Sequence, residues 1–401
     1  MPNNSKIWVS ELNERPEIRA AFPRQQIRFY DTTLRDGEQT VGVVLSPQQK
    51  LEIARKLDEM GVSRIEAGFP RVSAEDAEAI QLMTQANLKA ELWGFSRAVR
   101  ADAEELVRLG LKASVIEAPT SDIKLSAYGL TRDEVLRRVT DAVSFATKNG
   151  ITVGFFAVDG TRTELEFLKR VYLAAMEAGA QEVVVVDTIG ACGPEAAEFL
   201  VREVCGWVGK DTPVHWHGHN DFGMATACAV AAVRGGATWI QGTINGMGER
   251  AGNADIGEIA LALQCLYSVP VDIDLGKVRE VSEVVQRAAL YSVDAWKPLV
   301  GDNLFMRESG AVASQFHIPE AIEPYASEIV GANRKIVLGK KSGLDSIDFK
   351  CKELGLTIAA EQRGPVLAEV KRRAIAKRGL VGDEEFREIV VGLMTNVSAR
   401  P

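Results

Sequence analysis

Eight short apolar or β-branched runs alternate with longer amphipathic stretches through the first two thirds of the chain, and this alternation constrains the fold more than any other feature. The runs occupy residues 27–31, 64–67, 91–95, 113–117, 152–157, 182–187, 213–217 and 239–243. Helical patterns follow most of them, for example over 47–60, 73–86, 101–109 and 131–148. Ser46 reads as an N-cap with Pro47 at the first helical position, and Gly61, Gly110, Gly150 and Gly179 read as helix stops. Eight strand–helix units in roughly 250 residues predict a (β/α)8 TIM barrel. A doubly wound open sheet would want a glycine-rich phosphate turn after the first strand, and DTTLRDGEQ (31–39) is not one. The expected division is an N-terminal arm over 1–25, the barrel over 26–270 and a mostly helical C-terminal subdomain over 271–401, whose last two helices flank Arg378 and Gly379.

Composition narrows the function classes. A net charge of −8 argues against nucleic acid as a partner. The five cysteines are scattered without CxxC spacing, which suits reduced thiols in a cytoplasm better than a disulfide framework. The first residues lack the apolar core of a signal peptide and no apolar run is long enough to span a bilayer, so a cytoplasmic protein without membrane association is expected.

Three of the four histidines fall at alternate positions within five residues, in HWHGHND (215–221). Alternate residues of a strand share a face, so His215, His217 and His219 project to one side, the last two near the C-terminal end of the seventh strand. Imidazoles beside an Asn and an Asp suit a divalent metal. The barrel places other polar residues at the same end: 31–39 after the first strand, Glu66 ending the second, Asp187 and Thr188 ending the sixth, and 245–253 after the eighth. Active sites of such barrels form there.

FYDTTLRDGEQ (29–39), IEAGFP (65–70), DTIG (187–190), HGHND (217–221) and GERAGN (248–253) together resemble the DRE-TIM family of metal-dependent acyl-CoA condensing and cleaving enzymes. Its members include isopropylmalate, homocitrate and citramalate synthases, with hydroxymethylglutaryl-CoA lyase a more distant relative. The resemblance implies that Asp36, His217 and His219 hold a divalent metal, with Asn253 close to it or ligating it. It also implies that Arg35 and Gln39 orient a 2-oxo acid, that Thr188 meets its carboxylate, and that acetyl-CoA is the co-substrate of a Claisen condensation. Zn, Mn and Mg all suit the mixed nitrogen and oxygen donors. The family further implies a homodimer in which the C-terminal subdomain reaches the partner's barrel.

The sequence departs from the family pattern where proton transfer is concerned. Val158 stands where many synthases carry a glutamate, Val312 where a histidine is usual, and Ile322 where a tyrosine is usual. Valine and isoleucine cannot move a proton, so the general base is open. His317 and Tyr325 are the first candidates, followed by the barrel carboxylates Glu66 and Asp159. Arg97, Lys124 and Arg162 fall near the barrel mouth, and this excess of cations suits an oxo acid with a second anionic group, such as oxaloacetate, 2-oxoglutarate or a phosphonopyruvate. The short stretch after Ser346 leads to the expectation of no separate amino-acid-binding regulatory domain. The glycine-rich loop 245–252 lacks the cysteine usual in the family's lyases, which favours synthesis over cleavage; a non-catalytic oxo-acid-binding member is the remaining alternative.

Overall fold

The computed structural model describes residues 4–398. Two compact units make up the chain, one running from Ser10 to Val293 and the other joining the residues before Ser10 to Asp294 and beyond.

In the first unit the eight predicted strands form one closed parallel barrel. They are β1 (Arg28–Asp31), β2 (Arg64–Glu66), β3 (Glu91–Arg97), β4 (Ala113–Pro119), β5 (Thr152–Val158), β6 (Glu182–Asp187), β7 (Val214–Gly218) and β8 (Trp239–Gly242). Closure is carried by β1 against β8, in register from Arg28–Trp239 to Asp31–Gly242, which excludes the open-sheet alternative. The helix Pro47–Met60 starts as the sequence predicts: the Ser46 hydroxyl accepts from the Gln49 amide while the Gln49 side chain accepts from the Ser46 amide. Such a box satisfies two of the first-turn donors and is worth about 1 kcal/mol. The helix Asp122–Tyr128 has no counterpart in the periodicity, because two turns are too short to display a period. It is held by its ends, with the Ser121 hydroxyl accepting from the Lys124 amide and Gly129 closing the last turn.

Alternation along the strands separates an interior face from one that meets the helices. Tyr30, Trp93, Phe95, Ala113, Val115, Phe156, Val184, Val186 and Trp239 form the apolar filling. Through it runs a polar column. Arg64 pairs with both oxygens of Glu182 (2.7 and 3.0 Å), and its guanidinium lies over Trp93 and Trp239, at 4.4 and 3.7 Å from the ring centroids. His215 meets Glu182 at 2.7 Å and stacks on Trp239. A buried charge is tolerated only where partners of this quality replace water.

Burial pushes the Glu182 carboxyl up, but His215 and Arg64 outweigh it and hold it at about 2, below the ordinary 4.5. A depressed carboxyl stabilises the fold above its unfolded value, and that contribution is lost as pH falls through the folded value. Glu182→Gln is therefore expected to cost on the order of 3 kcal/mol at neutral pH. The deficit should shrink as pH drops from about 4.5 toward 2. Urea unfolding of both proteins across that range checks it, and a deficit independent of pH would refute the account.

The second unit is mostly helical. Leu344–Leu354, Arg363–Lys377 and Asp383–Ser398 close around Leu338, Ile347, Val366, Val370, Phe386 and Ile389. A two-stranded sheet pairs Met306–Arg307 with Lys335–Ile336. The N-terminal residues add to it: Ile7 bridges Tyr325, and the Trp8 amide donates to the Pro324 carbonyl at 2.8 Å. Among the described residues no helix is long and apolar enough to cross a membrane.

Candidate active site

The turn after β1 aims the first two functional side chains. The Thr32 carbonyl accepts from the amides of Arg35, Asp36 and Gly37 (3.2, 2.9 and 3.0 Å), and the Asp31 carboxylate accepts from the Thr33 amide and hydroxyl (2.8 and 2.9 Å). Wound this tightly, the turn buries Arg35 and Asp36 at the C-terminal end of the barrel. Asp36 Oδ2 lies 3.2 Å from His217 Nε2 and 3.7 Å from His219 Nε2, and Arg35 Nη1 is 3.3 Å away. The three donor groups lie within 4.8 Å of one another, a spacing one cation can bridge.

The surrounding hydrogen bonds fit that use. His217 Nδ1 meets Gln241 Oε1 at 3.1 Å, and Gln241 Nε2 meets His215 Nδ1 at 3.3 Å. The amide oxygen can only accept and the amide nitrogen can only donate. His217 therefore carries its proton on Nδ1, leaving the Nε2 lone pair facing Asp36, and His215 carries its proton on Nε2 toward Glu182. A ligand imidazole held this way is set in tautomer and orientation. Burial pushes the His219 imidazole down to about 4, so it is neutral and able to donate its lone pair at neutral pH. Burial raises the Asp36 carboxyl, but the Arg35 guanidinium beside it outweighs burial and keeps it ionised.

Several buried atoms here have no hydrogen-bond partner: Asp36 Oδ1, His219 Nδ1, Asn253 Oδ1 and Arg35 Nη2. Unpartnered acceptors in a buried site are costly unless something else meets them. A carboxylate oxygen and an amide oxygen beside two imidazoles are hard and borderline donors of the kind a divalent cation takes, so the residues present fit such a group.

Arg35 is fixed from three sides. Its Nε reaches Glu66 at 2.6 Å, its Nη1 faces Asp36, and its guanidinium lies 4.0 Å from the Phe95 ring centroid. Both oxygens of Glu66 are engaged, since Oε1 accepts from the Tyr30 hydroxyl at 3.1 Å. The structure thus presents Glu66 as a brace for Arg35.

The loop between β8 and the helix Ile256–Leu261 closes the far side. His219 and Asn253 form an isolated bridge, and Asn253 Nδ2 donates to the Met247 carbonyl at 3.0 Å. Gly248 and Gly252 have φ of 156° and 86°, and a Cβ at either would collide with Asn253 Nδ2 or the Gly246 carbonyl. Arg250 clamps Asp221 through two bonds (2.9 and 3.1 Å) and donates to the Thr188 carbonyl at 2.7 Å. Asn220 accepts from the Ala225 amide, so both polar residues after His219 shape loops.

Other residues singled out in the sequence take different places. Thr188 is half-buried, and its hydroxyl accepts from the Asp159 amide at 2.7 Å. Gln39 is exposed at the end of a 3-10 turn. Arg97 and Arg162 are each engaged through two bonds, by Asp102 (2.8 and 3.1 Å) and Asp159 (2.8 and 2.7 Å) respectively. Lys124 is half-buried on the first turn of Asp122–Tyr128. His317 and Tyr325 belong to the second unit, His317 exposed and Tyr325 buried against Phe305. Two inward residues escaped the sequence reading, Gln241 and Glu117. Strand parity could have found both, since Gln241 follows Trp239 by two positions and Glu117 follows Val115 by two.

The pattern of the HMGL-like family matches residues 26–285, the whole barrel and its site. The chain belongs to the HMGL-like family. Among its curated relatives, homocitrate synthase AksA of Methanothermobacter thermautotrophicus is 38% identical over 96% of this chain and 97% of its own. A putative (R)-citramalate synthase CimA of Methanopyrus kandleri is 40% identical over 95% of this chain and 77% of its own. The 2-isopropylmalate synthase of Methanocaldococcus jannaschii is 39% identical over 91% and 71%. Among solved structures, the HMG-CoA lyase of Bacillus subtilis superposes with a TM-score of 0.61 at 19% identity, covering 68% of this chain and 96% of the lyase, a likeness of fold alone.

Proposed function

We propose that this HMGL-like protein is an acyltransferase that condenses acetyl-CoA with a small 2-oxo acid to give a 2-hydroxy-2-alkyl dicarboxylic acid. The observation that carries the reading is the buried Asp36–His217–His219 cluster with Arg35 beside it. Relatives about 40% identical over most of the chain, all named as synthases of this kind, support it.

Asp36, His217 and His219 would hold a divalent cation, Zn, Mn or Mg, with Asn253 Oδ1 as a further donor. Such a cation supplies Lewis acidity and a template for the carboxylate and carbonyl oxygens of an oxo acid. Arg35 adds a fixed positive charge where negative charge grows on the carbonyl oxygen, and its unpartnered Nη2 is the donor free to meet it. Thr188, whose hydroxyl proton is not used in binding the Asp159 amide, can donate to the substrate carboxylate. Gln39 would complete the oxo-acid contacts from the same turn. Arg97, Lys124 and Arg162 would favour an acid with a second anionic group; the aspartates already on Arg97 and Arg162 make Lys124 the cation best able to serve. Roles for His317 and Tyr325 in proton transfer rest on the family resemblance. So does a homodimer in which the second unit serves a neighbouring barrel, which sedimentation equilibrium would detect. The reading places the reaction in the cytoplasm.

The test is release of free CoA thiol from acetyl-CoA with added Zn, Mn or Mg, across pyruvate, 2-oxoisovalerate, oxaloacetate, 2-oxoglutarate and phosphonopyruvate. One acid should turn over, with a dianionic or trianionic acid favoured over the branched aliphatic one. Binding of an oxo acid without thiol release from any member would remove the enzyme reading.

A further inference from the structure

We propose that Glu117 is the general base that takes the proton from the acetyl methyl group. This rests on the condensation reading above and supplies the proton acceptor that Val158, Val312 and Ile322 leave unassigned.

On β4, Ala113 and Val115 belong to the apolar filling of the barrel, so Glu117 points inward one step closer to the C-terminal end. Its register partners are Arg97 on β3 and Phe156 on β5. A carboxyl at this height and on this face is not needed for packing; the neighbouring inward positions Phe95 and Phe156 are apolar.

Its surroundings separate it from the other barrel carboxylates. Glu66 is taken by Arg35 and Tyr30, Asp159 by Arg162 and Ser121, and Asp187 by the Ala191 and Cys192 amides and the Thr161 hydroxyl. Glu117 instead lines a cavity of about 300 Å³ whose wall takes in Arg97 and Val158 from the strands and Leu130, Val135 and Arg138 from beyond them, and which none of the candidate metal ligands lines. Val158, on the adjacent strand, is the position where the sequence lacks the expected glutamate. The two positions face one space, so a carboxyl lost from β5 has a counterpart on β4.

Electrostatics agree with the geometry. Burial pushes the Glu117 carboxyl up to about 7, against the pull of Arg35 and Arg97 and with the push of Glu66 and Asp36. Those four are the charged groups that act on it most, and Tyr128 and Arg138 line the same cavity. Arg35 in turn feels Glu117, which ties the carboxyl to the guanidinium beside the candidate metal ligands. A base that titrates near the working pH is the most efficient proton acceptor.

A methyl C–H bond of acetyl-CoA breaks, its proton passes to a Glu117 carboxylate oxygen, and its electron pair forms the enolate of the thioester. The enolate carbon then bonds to the carbonyl carbon of the oxo acid, whose π electrons move to the carbonyl oxygen beside Arg35. That oxygen is protonated by the carboxylic acid form of Glu117 or by solvent, and water hydrolyses the thioester to release the CoA thiol.

The experiment compares the full chain with Glu117→Gln and Glu117→Asp, using the oxo acid that the wild type accepts. Glu117→Gln should lower kcat about 100-fold, leave both KM values within about threefold, and leave oxo-acid binding by calorimetry intact. The acidic limb of the kcat–pH profile should vanish. A deuterium isotope effect with methyl-deuterated acetyl-CoA should grow, because C–H cleavage becomes limiting. Glu117→Asp should keep the limb and lose about tenfold in rate, and it serves alone if the glutamine variant does not fold. Wild-type turnover together with a Glu117→Gln rate within threefold, or a limb that persists in Glu117→Gln and vanishes in His317→Ala, overturns the assignment. A wild type that releases no thiol with any oxo acid refutes the condensation reading, and this proposal with it.

Discussion

His217→Ala chains will fold, fail to retain a divalent cation and lose condensation activity by at least about 1,000-fold, the loss of a metal's electrostatic stabilisation being worth several kcal/mol. The imidazole is buried at the mouth of the barrel, where it meets Phe156 of the apolar filling edge to face at 5.1 Å, and its removal costs that contact while Trp93, Phe95 and Val184 keep theirs with one another. The stability cost is the loss of one hydrogen bond to Gln241 and the exposure of its amide oxygen, about 1–3 kcal/mol. Metal binding suffers far more. With one imidazole gone, Asp36 and His219 are the only members left of the three-residue set found among the described residues. Affinity for Zn or Mn by calorimetry should fall by more than 100-fold, beyond the 10- to 100-fold typical of losing an outer-shell partner. His219→Ala should behave alike. Either variant turning over at the wild-type rate after chelation and dialysis would sink the metal assignment.

Arg35→Lys will still bind oxo acid but lose about 100- to 1,000-fold in kcat, the range for removing one preorganised oxyanion donor. The charge is retained; the geometry is not. The guanidinium engages Glu66 through Nε and Asp36 through Nη1, lies on Phe95, and keeps Nη2 unspent. A lysine has one nitrogen for these tasks, and Glu66 or Asp36 will claim it. Because the lost interaction strengthens as charge develops, KM for the oxo acid should move little while kcat collapses. Equal losses in binding and turnover would mean that Arg35 acts on the ground state.

The barrel was legible because its signal is repeated: each run carries the same apolar or β-branched residues, and one misread run would not have hidden the other seven. His217 and His219 were legible because strand ends and side-chain alternation follow from sequence position alone, whereas Asp36, in the turn beyond β1, was indicated only by the family resemblance of its motif. What could not be read were choices among partners. Arg97 has Asp102 five residues on and Arg162 has Asp159 three residues back, but nothing in the sequence says that these aspartates take both guanidinium faces. Glu66 illustrates the same limit. It reads as a carboxyl at an active-site strand end, and only the Tyr30 and Arg35 contacts show both its oxygens engaged. Glu117 is hidden for another reason. Its run reads as apolar, and a single carboxyl closing such a strand stands out only when parity is followed across Ala113 and Val115.

The pairing of Ile7 with Tyr325 and of Trp8 with Pro324 makes the barrel an insertion within the second unit, interrupting it between its first residues and all that follows Asp294. During synthesis the barrel can therefore close while that unit has only its opening segment, which must wait unpaired until its partner emerges. Domains tend to fold as units in the order they appear, and here that order leaves a loose leader for the whole lifetime of the nascent barrel. Removing residues 4–9 should spare the barrel and weaken the helical unit instead, so damage on one side of the barrel's sequence would be felt on the other.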